Sequence, residues 1–426
     1  MNFYSKRFII FFCTALYCLA ANAIKYEDYF QEKTLRLDYI FAGNQKDQHI
    51  YLDEIKSYPH WYGRKINLDS LAVEGNGQII VRSHRDGKVI YKQSFSTLFQ
   101  EWLTYDEAKT QSRAFENVFL VPFPRTTVDI TVKLFDNRRE TIAELNHTVN
   151  PSDILIHSVG ESGITPYTVI QKAKDKERCI RIAYIAEGFT EANMNHFIEK
   201  VNEANEALFT HEPFKQYRDK FEIIAVKALS VESGTSVPST GQWKNTALSS
   251  HFDTFYSDRY LTTLNIKDLH NKLAGTPYDH IIVLVNTDKY GGGGIFNSYN
   301  LTSTDHKSFK PVVVHEFGHS FAGLADEYAY ENEPLEMYPK DIEPWEKNIT
   351  TMVYFASKWK GMVENNRNRE HNASMAKVGL FEGAGYSLKG VYRADFNCRM
   401  RTNEHPTFCP VCHRAISQMI EFYSGK

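Results

Sequence analysis

The sequence predicts an α+β protein of two domains, an antiparallel β-sandwich-like front half followed by an α/β half. Three observations carry that expectation. The 426 residues exceed what one ordinary core holds, the hydrophobic pattern changes style near residue 160, and a turn-rich segment sits at the change. At 42% hydrophobic, 14% aromatic and 24% charged, the chain has ample material for packed cores, which excludes a disordered, collagenous or coiled-coil protein. Lys+Arg 49 against Asp+Glu 52 gives a net charge of −3, so the basic field that neutralises phosphates is lacking and nucleic acid is not an expected partner.

Residues 1–23 read as a secretory signal. Lys6 and Arg7 precede an apolar run from Phe8 to Ala21, and Ala21-Asn22-Ala23 forms an A-x-A exit before Lys25. The run is too short for a comfortable membrane span, and the bulky Leu16-Tyr17 before Cys18 argue against a lipoprotein. No later stretch is long and apolar enough to span. The mature chain is therefore expected to be exported, whether periplasmic, at the cell surface or extracellular. Losing the two positive charges of the signal takes its net charge to −5.

From 24 to 160, short β-type runs alternate with polar turns. They are Gln78 to Ser83, Lys88 to Tyr91, Val118 to Pro122 and the well-alternating Thr127 to Phe135. His147 to Pro166 is rich in Asn, Gly, Ser and Pro and makes a linker. From 161 to 426, Cys179 to Ala186, Phe221 to Val226 and His280 to Val285 are continuous apolar runs of strand length. Met194, Phe197, Val201, Ala204 and Leu208 fall on one helix face, so this half reads as α/β with a largely parallel sheet.

Chemistry concentrates in Pro311-Val-Val-Val-His315-Glu316-Phe-Gly-His319-Ser-Phe-Ala-Gly323-Leu-Ala-Asp326-Glu327-Tyr328. On a helix His315 and His319 project from one face and can share one zinc ion, with Glu316 able to reach a water beside it. Gly323 can end that helix in a left-handed conformation and turn the chain back. Were the helix to continue, Asp326 would lie about 10 Å further along the axis, out of reach of the metal.

This stretch resembles the metzincin-like zinc peptidases, in which helix, turn and return supply three ligands. More closely, HEFGHSFAGLADEY is similar to the IgA-peptidase family of bacterial secreted zinc endopeptidases. The spacing departs by one residue from the metzincin pattern: Gly323 is four and Asp326 seven after His319, instead of three and six. The likeness continues through Gly390-Val-Tyr392-Arg-Ala-Asp-Phe-Asn-Cys398-Arg-Met400-Arg and Phe408-Cys-Pro-Val-Cys-His. It implies a metzincin-like catalytic domain with one catalytic Zn2+ on His315, His319 and Asp326, with Glu327 as the rival third ligand. It further implies Glu316 as catalytic base, Gly323 as the turn, Met400 as a Met-turn beneath the metal and Tyr392 as a possible oxyanion donor.

Several features keep two readings. Cys398, Cys409 and Cys412 can form one disulfide, a structural metal knuckle or a redox Cys-x-x-Cys, and an oxidising compartment favours a disulfide from Cys398 to Cys409 or Cys412. The acidic run with Glu331, Glu333, Glu336, Asp341 and Glu343 is a solvated loop or a calcium site. Tyr290 with Gly291 to Gly294 is a flexible turn or a sheet edge that pairs with substrate backbone. Met400 and Tyr392 also have a reading as packing residues. The expected function is zinc-dependent hydrolysis of protein or peptide substrates. The alternatives are hydrolysis of a non-peptide amide such as a cell-wall linkage, or a non-catalytic binding protein.

Overall fold

The computed structural model describes residues 24–331, 337–367 and 378–425. The signal segment, Glu333 and Glu336 lie outside the described residues. In the front half, β1 (Phe30–Gly43), β2 (Gln48–Tyr58), β5 (Arg113–Pro124) and the two-residue β8 (His157–Ser158) form a sheet ordered β5-β1-β2-β8. A second sheet, ordered β4-β3-β6-β7, contains β3 (Gly77–Ser83), β4 (Val89–Phe95), β6 (Val128–Phe135) and β7 (Thr141–Val149). All neighbours are antiparallel except β2 and β8.

Strand alternation builds the core between these sheets. Leu35, Leu37, Tyr39 and Phe41 of β1 meet Ile79 and Val81 of β3 and Ile130 and Val132 of β6 in one buried cluster. The intervening β1 residues face the other half of the molecule. There Arg36 and Asp38 are both fully buried and joined by two hydrogen bonds of 2.6 and 2.8 Å. Arg36 also donates to Asn271 Oδ1 and to the Lys267 carbonyl.

The second half is built on a six-stranded sheet ordered β13-β14-β12-β10-β11-β9. Its strands are β9 (Tyr167–Gln171), β10 (Ile180–Glu187), β11 (Phe221–Val226), β12 (His280–Val285), β13 (Gly292–Ile295) and β14 (Tyr299–Ser303). The four central strands are parallel and both edges antiparallel. Every residue of β12 is buried, as a strand covered on both faces requires. One face, with Ile182, Tyr184 and Ile223, packs against the helices Met194–Phe209, Phe309–Ala322 and Pro410–Ser424. The opposite face, with Ala183, Ile185, Ile224 and Val283, joins the same cluster that fills the front sandwich. The two halves thus share one continuous core. A small sheet of β15 (Ile349–Thr350), β16 (Phe381–Ala384) and β17 (Ser387–Arg393) stands beside the segment that follows the helix Phe309–Ala322.

Candidate metal centre and its family

The helix Phe309–Ala322 lies across the antiparallel edge of the large sheet, and glycines let it come close. A Cβ at Gly294 would lie 2.5 Å from the Glu316 carbonyl oxygen and 2.9 Å from His319 Cβ. One at Gly292 would lie 2.7 Å from Glu316 Oε1. The glycine run is therefore a close approach, not merely a flexible turn. It is also a sheet edge, though Tyr260 bridges to Gly292 and its ring lies beside Gly293.

The helix stops at Gly323, which adopts φ +59° and bonds its N–H to the His319 carbonyl. The chain then reverses and presents Asp326 to the histidines. Asp326 Oδ1 lies 3.0 Å from His315 Nε2 and 3.3 Å from His319 Nε2, and the two Nε2 atoms are 3.0 Å apart. Glu327 points away, toward Cys412.

Hydrogen bonding fixes which atoms face the centre. His315 Nδ1 lies 3.0 Å from the Arg399 carbonyl and His319 Nδ1 2.5 Å from the Leu324 carbonyl. A carbonyl only accepts, so both Nδ1 atoms donate and both Nε2 lone pairs turn inward. Tyr386 O–H donates to Asp326 Oδ2, which leaves Oδ1 without a hydrogen-bond donor although it is buried. Two imidazole lone pairs and a carboxylate oxygen therefore converge on one point. Three acceptors at that spacing repel one another unless a cation sits among them, and two His nitrogens with one carboxylate is a donor set that first-row divalent metals take.

Without a cation the cluster must share protons. Burial alone would raise the Asp326 carboxyl and lower the His319 imidazole. Their mutual attraction overrides it, holding Asp326 well below the usual carboxylate range and lifting His319 to about 9. Burial also raises the Glu316 carboxyl; the neighbouring His315 and His319 oppose that rise and Asp326 adds to it.

The segment bearing Asp326 is held on three sides. Asn348, fully buried, accepts from Ala325 N–H and donates to the Ala325 carbonyl, each at 2.8 Å, and donates to Glu327 Oε1. Glu327 N–H bonds the Met400 carbonyl, and Gly385 N–H bonds the Asp326 carbonyl. Met400 is fully buried, and its Sδ would lie 2.7 Å from a Cβ at Gly318, so the sulfur packs against the helix between the two histidines. Sequence reasoning did not find Asn348 or Tyr386. Neither has a motif spacing to mark it, since Tyr386 is 60 residues from Asp326.

Two expectations are corrected. Tyr392 is not brought to the cluster. It pairs with Glu382 and Thr350 within the small sheet, and alternation in β17 buries Val391 and Arg393 while turning Tyr392 to the other, partly exposed side. The tyrosine at the site is Tyr386. Nor is the expected disulfide formed: Cys398, Cys409 and Cys412 are free, and Cys398 Sγ stands 3.8 Å from Cys412 Sγ, against about 2.0 Å for a bond. The described acidic residues of the 331–346 run do not converge as a calcium site would require. Asp341 pairs with Arg138 of the front half, and Glu343 accepts from Tyr354 N–H.

A family model described as IgA Peptidase M64 matches residues 168–369 and 367–420, and one described as Peptidase M64 N-terminus matches residues 25–146. The chain belongs to the IgA peptidase M64 family. As an M64 peptidase it is a hydrolase of peptide bonds that acts on protein or peptide substrates, which leaves the non-peptide amide and binding-protein readings without support. No curated protein matches it. Among the described residues this M64 chain has no helix long and apolar enough to cross a membrane. Its described residues contain two groups able to hold a metal ion. One is His315, His319 and Asp326; the other is Glu327, Cys398, Cys409 and Cys412.

Proposed function

We propose that the chain is an exported, zinc-dependent endopeptidase of metzincin-like design, in which residues 24–160 support a catalytic domain of residues 161–426. The observation that carries this reading is the convergence of His315 Nε2, His319 Nε2 and Asp326 Oδ1, each oriented by a hydrogen bond on its other side. Zinc held by those three atoms would lower the pKa of a water molecule and polarise the scissile carbonyl. Glu316, next to a ligand and partly withdrawn from water, accepts the proton of the attacking water and returns it to the leaving nitrogen. Tyr386 keeps Oδ1 of Asp326 turned to the histidines, and Arg399 and Leu324 carbonyls keep both imidazoles in the tautomer a metal needs. Residues 1–23 support export, through Lys6, Arg7 and the Ala21-Asn22-Ala23 exit.

Chelation tests the dependence on metal. Removing metal from the purified mature chain should abolish cleavage of a peptide library, and added Zn2+ should restore it. His315→Ala should remain inactive after the same addition, since it lacks a ligand. Full activity of the chelated chain would refute the reading.

A further inference from the structure

Behind the segment that carries Asp326 lies a second group of ligand-type atoms. Glu327 Oε1 is 3.0 Å from Cys412 Sγ and 3.9 Å from Cys409 Sγ, and Cys398 Sγ is 3.8 Å from Cys412 Sγ. One ligand atom from each of the four residues lies within 4.8 Å of all the others. The edge of a tetrahedron of sulfurs around Zn2+, at about 2.3 Å per bond, is about 3.8 Å, so the sulfurs stand at ligand spacing rather than bonding distance.

Three further observations point to a cation. Glu327 Oε2 is buried with no hydrogen-bond donor, an orphan that a native interior rarely tolerates. Arg393, the neighbouring guanidinium, donates to the Glu382 and Gly383 carbonyls. The cage is also dressed as metal-bound thiolates usually are. Cys409 N–H and Met400 N–H point at Cys398 Sγ, and Cys412 N–H points at Cys409 Sγ. Cys409 caps the N-terminus of the helix Pro410–Ser424, and Cys412 lies in its first turn, where the helix dipole favours a negative sulfur. Glu327, Cys398 and Cys412 are fully buried and Cys409 nearly so, which leaves no open position for water or substrate. That is the closed form of a structural site.

We propose that Cys398, Cys409, Cys412 and Glu327 form a second, structural zinc site, distinct from the catalytic cluster. Binding is not a redox step: each thiol gives up a proton to solvent as its sulfur engages Zn2+, and no electron moves. Thiolate-rich tetrahedral cages select zinc over the harder divalent ions. The site ties together three segments that the catalytic cluster depends on: the residue after Asp326, the turn holding Met400, and the start of the C-terminal helix. Its bound metal therefore fixes where Asp326 stands.

The test is metal counting on the zinc-saturated mature chain. Native mass spectrometry should find about two zinc ions per chain, falling to about one in His315→Ala and, separately, to about one in Cys412→Ser. Co2+ loaded into wild-type protein should show a thiolate charge-transfer band, which two imidazoles and a carboxylate cannot produce. That reading stands even if Cys412→Ser fails to fold. After denaturation in chelator, Cys179, Cys398, Cys409 and Cys412 should all react with a thiol reagent. A single zinc that is lost in His315→Ala, no cobalt–thiolate band, or two missing thiols from a disulfide would each overturn the proposal. A single zinc that persists in His315→Ala with the thiolate band would uphold it while refuting the catalytic site.

Discussion

The least expected residue at the metal centre is Tyr386, and its position gives it a definite role. Its hydroxyl donates to Asp326 Oδ2, so the carboxylate cannot rotate its free oxygen away from the histidines without losing that bond. A partner of this kind typically contributes tenfold to a hundredfold in metal affinity or activity. Tyr386→Phe should therefore weaken zinc retention by about 10- to 100-fold in a chelator competition, with the fold intact by circular dichroism. Unchanged affinity would remove Tyr386 from the metal's support. At this scale the sequence was most legible where spacing carries geometry. His315, Glu316 and His319 stand on one helix, and the left-handed Gly323 returns the chain so that Asp326 meets them. The family resemblance offered Tyr392 as a possible oxyanion donor, beside a reading of it as a packing residue. A resemblance in sequence does not show that strand alternation turns that ring aside, or that a tyrosine six positions earlier faces Asp326.

Among the elements, the contact between the site helix and the edge strand β13 decides how tightly the centre is built. Gly292 and Gly294 face the helix at Glu316 and His319, and side chains there meet atoms that differ in their freedom to move. A Cβ at 294 meets the Glu316 backbone oxygen at 2.5 Å, and the backbone cannot yield without separating helix from sheet. Gly294→Ala should therefore destabilise the fold by about 1–3 kcal/mol, read from the denaturation midpoint. A Cβ at 292 meets the Glu316 carboxylate, a side-chain end that can swing away. Gly292→Ala should cost less stability but lower the rate of peptide cleavage. If the two variants behaved alike in both assays, the glycines would not be serving this contact. The glycine run was visible in the sequence as either a turn or an edge. Which surface it approached was not, because the helix begins more than a dozen residues later and the crossing is a tertiary fact.

At the scale of the whole molecule, the change in pattern near residue 160 marks a change of architecture but not a separation of cores. The chain leaves the front sheets after β8 and enters the large sheet at β9, yet one apolar cluster runs through both halves. The Arg36–Asp38 pair sits fully buried at that junction, with Asn271, the Lys267 carbonyl and the Tyr58 hydroxyl accepting the guanidinium's other bonds. In β1 the alternation of Leu35, Leu37, Tyr39 and Phe41 is legible as a strand. The burial of Arg36 and Asp38 is not, since the partners that hold Arg36 across the junction are 235 and 231 residues away in sequence. The mature chain should accordingly unfold in one calorimetric transition. Arg36→Ala should lower its stability by about 1–3 kcal/mol, because Asp38 stays buried with Lys56 Nζ, 3.3 Å away, as its remaining cation. Two well-separated transitions, or a neutral Arg36→Ala, would mean that the halves are independent.

The claim on which the functional account rests most heavily is that Glu316 moves the proton at a metal-dependent peptidase centre. The measurement that tests it most directly is the cleavage rate of a peptide library by zinc-loaded Glu316→Gln, with its zinc content determined on the same sample. Gln nearly preserves the shape of Glu but cannot accept a proton, so zinc should be retained while the rate falls by about 10²- to 10⁴-fold. A variant that binds zinc and cleaves at the wild-type rate would contradict the account.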